Sequence, residues 1–282
     1  MELRSAHRRR NISEKQSEEI LNAVLDAEIN YIDTSVDYRL SEERIGKYIS
    51  HRKDEFIVAT KCGDYQEVMN GRRQTVKDYT PEGIFRTINN SRRKLRMDVI
   101  DIVQFHGLPG GADDEVAAFE ALLEAKEKGW TKFVGVSHDG TVAAKAAEQW
   151  PLDTQEFTYS IFYQEADTNL MPTLKEQNMG TIIKRPISNA VWRKKGHPEG
   201  GFMGGPWERA QQFPLEELAG DMPLIEFALR FTLSHPDVCT AIVGSTNPEN
   251  IEANTRVSDG RSLPDETLQK AKDAFKERFG SH

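Results

Sequence analysis

Four side chains that together can move a proton to or from a substrate oxygen stand in the first part of the chain: Asp33, Tyr38, Lys61 and His106. A phenol, with an ordinary pKa of about 10, is a poor proton donor at neutral pH. An ammonium beside it stabilises the phenolate and makes the proton available. In such a scheme Tyr38 donates, Asp33 keeps Lys61 charged and in place, and His106 hydrogen-bonds the substrate oxygen as a neutral donor. Each residue alone also has an ordinary reading. Asp33 can cap a turn or helix, Tyr38 can lie on the surface, Lys61 can end a strand in solvent, and His106 can be a structural partner. Their order along the chain, with Asp33, Lys61 and His106 at or just beyond β-type runs and Tyr38 on the loop after the first, favours joint action.

Those runs belong to a β-then-α alternation, which implies parallel strands with helical crossovers. The strands are expected at Tyr31–Thr34, Phe56–Thr60, Val99–Gln104, Phe133–Val136, Asp153–Thr158, Gly180–Lys184 and Thr240–Val243. Helical patterns fall at Ser17–Ala27, Ser41–Ser50, Pro81–Arg96, Glu115–Lys128, Thr141–Gln149, Leu170–Gln177, Leu224–Leu233 and Pro248–Thr255. Ser41 reads as the cap of its helix, with Glu42 and Glu43 in the first turn. The expected fold is α/β, a (β/α)8 TIM barrel with seven strands recognisable and the first missing. Residues 1–16 form a charged, irregular N-terminus without a β-type run, so those residues or a neighbouring chain would have to cover an open edge. The segment 185–221, rich in Gly, Pro and Trp, reads as a long loop, and 266–279 as a C-terminal helix. One domain is expected over 1–282, a length that suits a barrel. In a barrel the C-terminal strand ends share one face, which brings the four residues together.

The net charge of −8, with both signs interspersed, argues against nucleic acid as a partner. Arg8–Arg10 reads as a solvated basic tail. Cys62 and Cys239 are far apart and lack metal-ligand spacing, so reduced thiols and no metal are expected. No apolar run is long enough to span a membrane, and the polar start is no signal peptide. A cytoplasmic protein is the expectation.

The stretch NYIDTSVDYRLSEERIG (Asn30–Gly46) carries a strand-end Asp, a loop Tyr and S-E-x-x-x-G, and it resembles the aldo-keto reductases. The likeness continues in ATKCG, RRKLRMDVIDIVQFHG, KFVGVSH, YSIF, GTIIKRP and LSHPDVCTAIVGSTNPENIEAN, covering roughly Ser17–Arg256. It implies a small-molecule carbonyl substrate, reduction of aldehydes or ketones to alcohols, and NADP as hydride carrier, NAD remaining compatible. Asp33, Tyr38, Lys61 and His106 match the family's catalytic residues. Ser137 and His138 match a Ser-Asn pair on the nicotinamide carboxamide, completed by Gln155 or Glu156. Lys184 stands where the family has an aromatic that stacks on the ring, and Arg185 could cover the ring instead. Gly244, Ser245, Thr246, Asn250 and Asn254 match the segment that holds the adenosine 2′-phosphate at a helix N-terminus. There Gly244 and Asn250 replace the usual cations.

Glu28 and Arg39 stand where the family has glycines, and Arg39 alters its loop if a positive φ is needed there. The loops Asp64–Tyr79 and Val191–Phe213, with Tyr65, Tyr79, Trp192 and Trp207, would shape an aromatic mouth. An alternative reading is a nicotinamide-binding barrel with little or no turnover, acting as a regulatory or interaction protein. Lys184, Gly244, Asn250 and the missing strand favour it. The sequence carries no reading of oligomeric state.

Overall fold

The protein is described by a computed structural model over residues 12–69, 71–110, 112–198 and 203–280. Arg8–Arg10 and most of the segment 1–16 lie outside the described residues. All seven strands foreseen are present: β1 (Tyr31–Asp33), β2 (Ile57–Cys62), β5 (Ile100–Phe105), β6 (Thr131–Ser137), β7 (Thr154–Thr158), β8 (Gly180–Lys184) and β9 (Thr240–Ile242). They are hydrogen-bonded in the order β1-β2-β5-β6-β7-β8-β9, so β1 and β9 end the sheet among the described residues. A separate antiparallel pair, β3 (Asp64–Met69) with β4 (Arg72–Lys77), was expected only as loop.

The chain divides into two compact units. The first comprises Met1–His138, Trp150–Gln155 and Gly244–Glu252. Its strands pair in parallel with Asp33 opposite Ala59, Lys61 opposite Gln104, and Gln104 opposite Gly135. The helices α1 (Glu14–Asp26), α2 (Ser41–Tyr48), α3 (Pro81–Leu95) and α4 (Ala112–Glu127) belong to this unit. α1 buries Ile20, Leu21, Val24 and Leu25, one stripe of a helix of period 3.6. It starts earlier than expected because Ser13 and Gln16 form a capping box. Thr80 caps α3 by accepting from the Gly83 amide, with Pro81 following it.

Ser41 does not cap α2. Leu40 holds that position without a side-chain bond, and Ser41 is the first helical residue, its Oγ accepting from Thr34 Oγ1 at 2.9 Å. Behind it Glu42 is fully buried and accepts from Thr60 Oγ1 at 2.7 Å. Gly46 meets α3 so closely that an added Cβ would stand 2.0 Å from the Lys94 carbonyl oxygen.

The second unit comprises Asp139–Gln149, Glu156–Val243 and Ala253–His282. There β8 pairs in parallel with β9, and Phe157, Tyr159, Ile161, Phe162, Phe227 and Phe231 are buried. The segment 185–221 is no extended loop. It folds into a 3-10 stretch at Ser188–Arg193 and helices at Gly204–Gln212 and Leu215–Ala219. Gly204, Gly205 and Pro206 form the first turn of one helix, and Pro214 and Gly220 bound the next. Trp192 and Trp207 pack here, Trp192 edge-on to Phe162 and Trp207 donating to the Lys194 carbonyl at 3.3 Å. No helix among the described residues is long and apolar enough to cross a membrane.

Two stability changes follow from α2. Gly46→Ala drives a methyl into fixed backbone, and a loss of about 1–3 kcal/mol in urea unfolding is expected. Burial raises the Glu42 pKa, against the Thr60 hydrogen bond that lowers it. The folded chain therefore keeps this proton at pH values where the unfolded chain has released it, and stability falls as pH rises above the ordinary glutamate range. Glu42→Gln should flatten that slope in unfolding curves taken between acid and neutral pH.

Candidate active site

The parallel register sets the strand ends side by side. Asp33 closes β1, and Lys61 lies near the end of β2, both buried. Lys61 Nζ donates to Asp33 Oδ1 and lies 3.4 Å from the Thr34 carbonyl oxygen. Two ions withdrawn from water hold each other's charge; either one alone would be costly.

His106 lies just past β5, and its amide donates to the Cys62 carbonyl at 3.0 Å, prolonging the ladder by one residue. Its ring is half-buried, with Nδ1 2.9 Å from Asp64 Oδ2 and 3.4 Å from Ser35 Oγ. Tyr38 ends a 3-10 turn, Val36–Tyr38, capped by Ser35 Oγ accepting from the Asp37 amide at 3.1 Å. The Tyr38 and His106 rings meet edge-on, 6.2 Å between centroids and 86° between planes. Thr34 touches the ion pair and Ser35 the imidazole, so one loop joins all four expected residues.

Arg39 follows Tyr38 with φ +55°, and Glu28 has φ +60°. Both adopt the positive φ that glycine takes at lower cost. The β3–β4 hairpin, missed in the sequence, braces this loop. Asp37 Oδ1 accepts from Gln66 Nε2 at 2.7 Å and from Thr75 Oγ1, while Asp64 at the base of the hairpin holds His106. Asp64 is thus a site residue that sequence reasoning passed over. The dipeptide Asn70-Gly71, a strong hairpin signal, could have revealed it.

In the same unit Ser137 is buried at the end of β6 and His138 is half-buried beyond it. Gln155 and Glu156 are both buried on β7, and Gln155 Nε2 donates to the His138 carbonyl at 2.8 Å. Its Oε1 is buried without a hydrogen-bond partner, which suits an amide donor such as a carboxamide NH2. The segment Gly244–Glu252 is mostly exposed. Ser245 Oγ accepts from the Asn247 amide at 3.1 Å, and Asn247 Oδ1 accepts from the Glu249 amide at 3.1 Å. Two donors of this turn are therefore engaged locally; Thr246 is half-buried and Asn250 exposed.

In the second unit Lys184 ends β8, 3.5 Å from Asp139 Oδ1, and burial pushes its ammonium pKa down against that carboxylate. Arg185 Nη1 donates to Thr158 Oγ1 at 2.7 Å. Arg185, Ser188, Asn189 and Ala190 all have positive φ, a strained run directly after β8. Asn254 is half-buried in the helix Pro248–Thr255. Among the described residues no cluster of His, Cys, Asp or Glu could hold a metal ion.

Removing one member of the buried pair should be costly. Lys61→Met is expected to lower stability by about 3–5 kcal/mol in urea unfolding, with Asp33→Asn in the same chain restoring a large part. Equal midpoints for the single and double variants would show that the charges do not support each other.

The aldo/keto reductase family profile matches residues 1–275. D-threo-aldose 1-dehydrogenase from a Pseudomonas species is 27% identical over 279 residues, covering 87% of this chain and 84% of its own. The holo form of an aldo-keto reductase from Bacillus halodurans superposes with a TM-score of 0.80 at 26% identity, over 94% of this chain and 88% of that one. An aldo/keto reductase from Klebsiella pneumoniae in complex with NADP and acetate gives 0.73 at 19% identity, over 93% and 86%. The β/α-barrel fold expected from the strand count is thus the fold of these neighbours. Sequence profile and architecture agree, and the chain belongs to the aldo/keto reductase family.

Proposed function

We propose that the protein is a cytosolic, single-domain reductase that converts aldehydes or ketones to alcohols with NADP(H), NAD also being accommodated. The observation that carries this reading is the buried Asp33–Lys61 pair, linked through Thr34 and Ser35 to the Tyr38–His106 ring contact. Tyr38 is the proton donor to the carbonyl oxygen, and Lys61, held by Asp33, stabilises the phenolate that remains. His106 positions the substrate oxygen. A bound nicotinamide supplies the hydride.

Ser137, His138 and Gln155 would hold the carboxamide of that ring, a fit supported by the unpartnered Gln155 Oε1. Lys184 and Arg185 would flank the ring. Gly244, Ser245, Thr246, Asn250 and Asn254 would carry the adenosine end, with hydroxyl and amide donors in place of cations. The Klebsiella structure, which holds NADP, supports the choice of dinucleotide.

Lys184 favours a second reading, a nicotinamide-binding protein without turnover, because an ammonium does not stack on the ring as an aromatic does. Titration of the purified chain with NADPH, followed by a consumption assay on aromatic and aliphatic aldehydes, separates the two. Tyr38→Phe is expected to lower carbonyl reduction roughly 10²- to 10⁴-fold while leaving NADPH affinity within about twofold. Undiminished reduction by that variant would remove Tyr38 from the chemistry, and NADPH binding without reduction by the wild type would favour the second reading.

A further inference from the structure

The second unit holds a histidine that the proposed chemistry leaves unused. His235 follows the helix Leu224–Leu233, in the turn that delivers β9, and its side chain is 11% exposed. The turn folds back on its own imidazole: the Asp237 amide donates to Nδ1 at 3.2 Å. An imidazole nitrogen that accepts carries no proton, so the neutral ring bears its hydrogen on Nε2. Nε2 lies 3.4 Å from Asp167 Oδ1, on the short helix Ala166–Asn169.

This turn is what anchors β9. The strand has three residues, all half-buried, and pairs only with β8 among the described residues. Hydrogen bonds from outside the ladder hold its approach. Thr181 Oγ1 donates to the Asp237 carbonyl at 2.5 Å and accepts from the Cys239 amide at 2.9 Å. The Val238 amide donates to the His235 carbonyl at 3.1 Å, and Lys175 Nζ lies 2.9 Å from Asp237 Oδ1.

Charged and titratable groups face the ring from several elements. Asp167 is one, and Lys272 on the helix Asp265–Phe279 stands 3.0 Å from its Oδ2. Lys175 acts from the helix Met171–Glu176 and Asp237 from the turn itself. Tyr159, just past β7, sets its ring edge-on to the imidazole at 5.5 Å between centroids and stacks on Phe231. Burial is the largest influence and pushes the His235 pKa down; Asp167 and Asp237 oppose it, while Lys272 and Lys175 add to it.

We infer that His235 is an acid-sensitive latch on β9: a proton arriving at Nδ1 meets an amide hydrogen already there, so charging the ring requires the turn 234–239 to release it and β9 to loosen on β8. Closed, the latch excludes the proton. Open, the ring has the ordinary histidine pKa of about 6.5. Above that value both forms are neutral and the latch has its full strength. Below it the open form gains a proton that the closed form refuses, so opening becomes easier as pH falls, by roughly tenfold at one pH unit below. The latch belongs to the second compact unit and Asp33, Tyr38, Lys61 and His106 to the first, so it stands whether or not the chain reduces carbonyls.

Amide hydrogen exchange in the full chain, corrected for the intrinsic pH dependence of exchange, reads the latch. Between about pH 7.5 and about pH 5.5, protection of the Asp237 and Cys239 amides should fall roughly tenfold, while protection in β5 stays within about twofold. His235→Asn keeps an acceptor two residues before the Asp237 amide, as in an Asx-turn, and has no proton to gain. It should hold its protection at both pH values. His235→Ala should already have lost roughly tenfold at the higher pH and change little on acidification. Protection that does not fall in the wild type, or that falls equally in His235→Asn, would overturn the inference. Nitrogen-15 imidazole spectra of the wild type at about pH 8, above the ordinary histidine range, give a readout that needs no variant to fold. They should show neutral His235 protonated at Nε2, and a proton on Nδ1 would overturn the inference as well.

Discussion

The site depends on an ammonium and a carboxylate kept out of water. Asp33 and Lys61 are both buried, and either charge alone would be costly there without the other. The pair can form only if β1 and β2 run parallel in a register that sets their C-terminal ends together, which is what the pairing of Asp33 with Ala59 provides. The same register carries His106 to the same rim, through the ladder between β2 and β5. Electrostatics and strand alignment therefore constrain each other. A one-residue slip of β2 would turn Lys61 to the other face of its strand and leave Asp33 buried without its partner.

That constraint explains why so much of the architecture was readable. Seven β-type runs, most of them apolar and each followed by a helical pattern, leave few arrangements other than parallel strands, and the strands end within a residue or two of where the sequence places them. The helix starts were read less well. Ser41 has the right type for a cap, but its hydroxyl is taken by Thr34, a tertiary contact that local pattern does not contain. Ser13 and Gln16 form a genuine capping box, and it extends α1 by a turn that apolar periodicity alone did not reveal. The segment 185–221 failed for another reason. Its Gly and Pro residues suggested loop, whereas its short helices are fixed by packing of residues such as Val191, Phe213 and Leu215.

The candidate site was half legible. Asp33, Tyr38, Lys61 and His106 could be found because side-chain type and strand-end position coincide. Asp64 could not be found that way, since it sits two residues beyond a strand in what reads as a polar loop. Its importance appears only when β3 and β4 fold back on each other, which buries its carboxylate against His106 and ties Gln66 and Thr75 to Asp37. The hairpin thus grips the phenol's loop at one point and the imidazole at another, and sets the spacing between them.

The S-E-x-x-x-G run after Tyr38 has a structural rather than a chemical meaning, and its three fixed positions brace one loop. Ser41 receives the hydroxyl of Thr34, fixing the far end of the loop to the residue that follows Asp33. Glu42 reaches under the sheet to Thr60, the neighbour of Lys61. Gly46 lets α2 lie directly on the backbone of α3, close enough for the other two contacts to form. Arg44 ties the same helix to α1 through Glu14 and the Ile12 carbonyl. The loop between Asp33 and Ser41 is therefore clamped at both ends, and the positive φ at Arg39 is the cost of closing it in so few residues. A phenol on a freely moving loop would meet an imidazole only intermittently. Clamping removes that freedom and holds the phenol beside the imidazole, which is how a structural motif sets the geometry of the candidate site without lying in it.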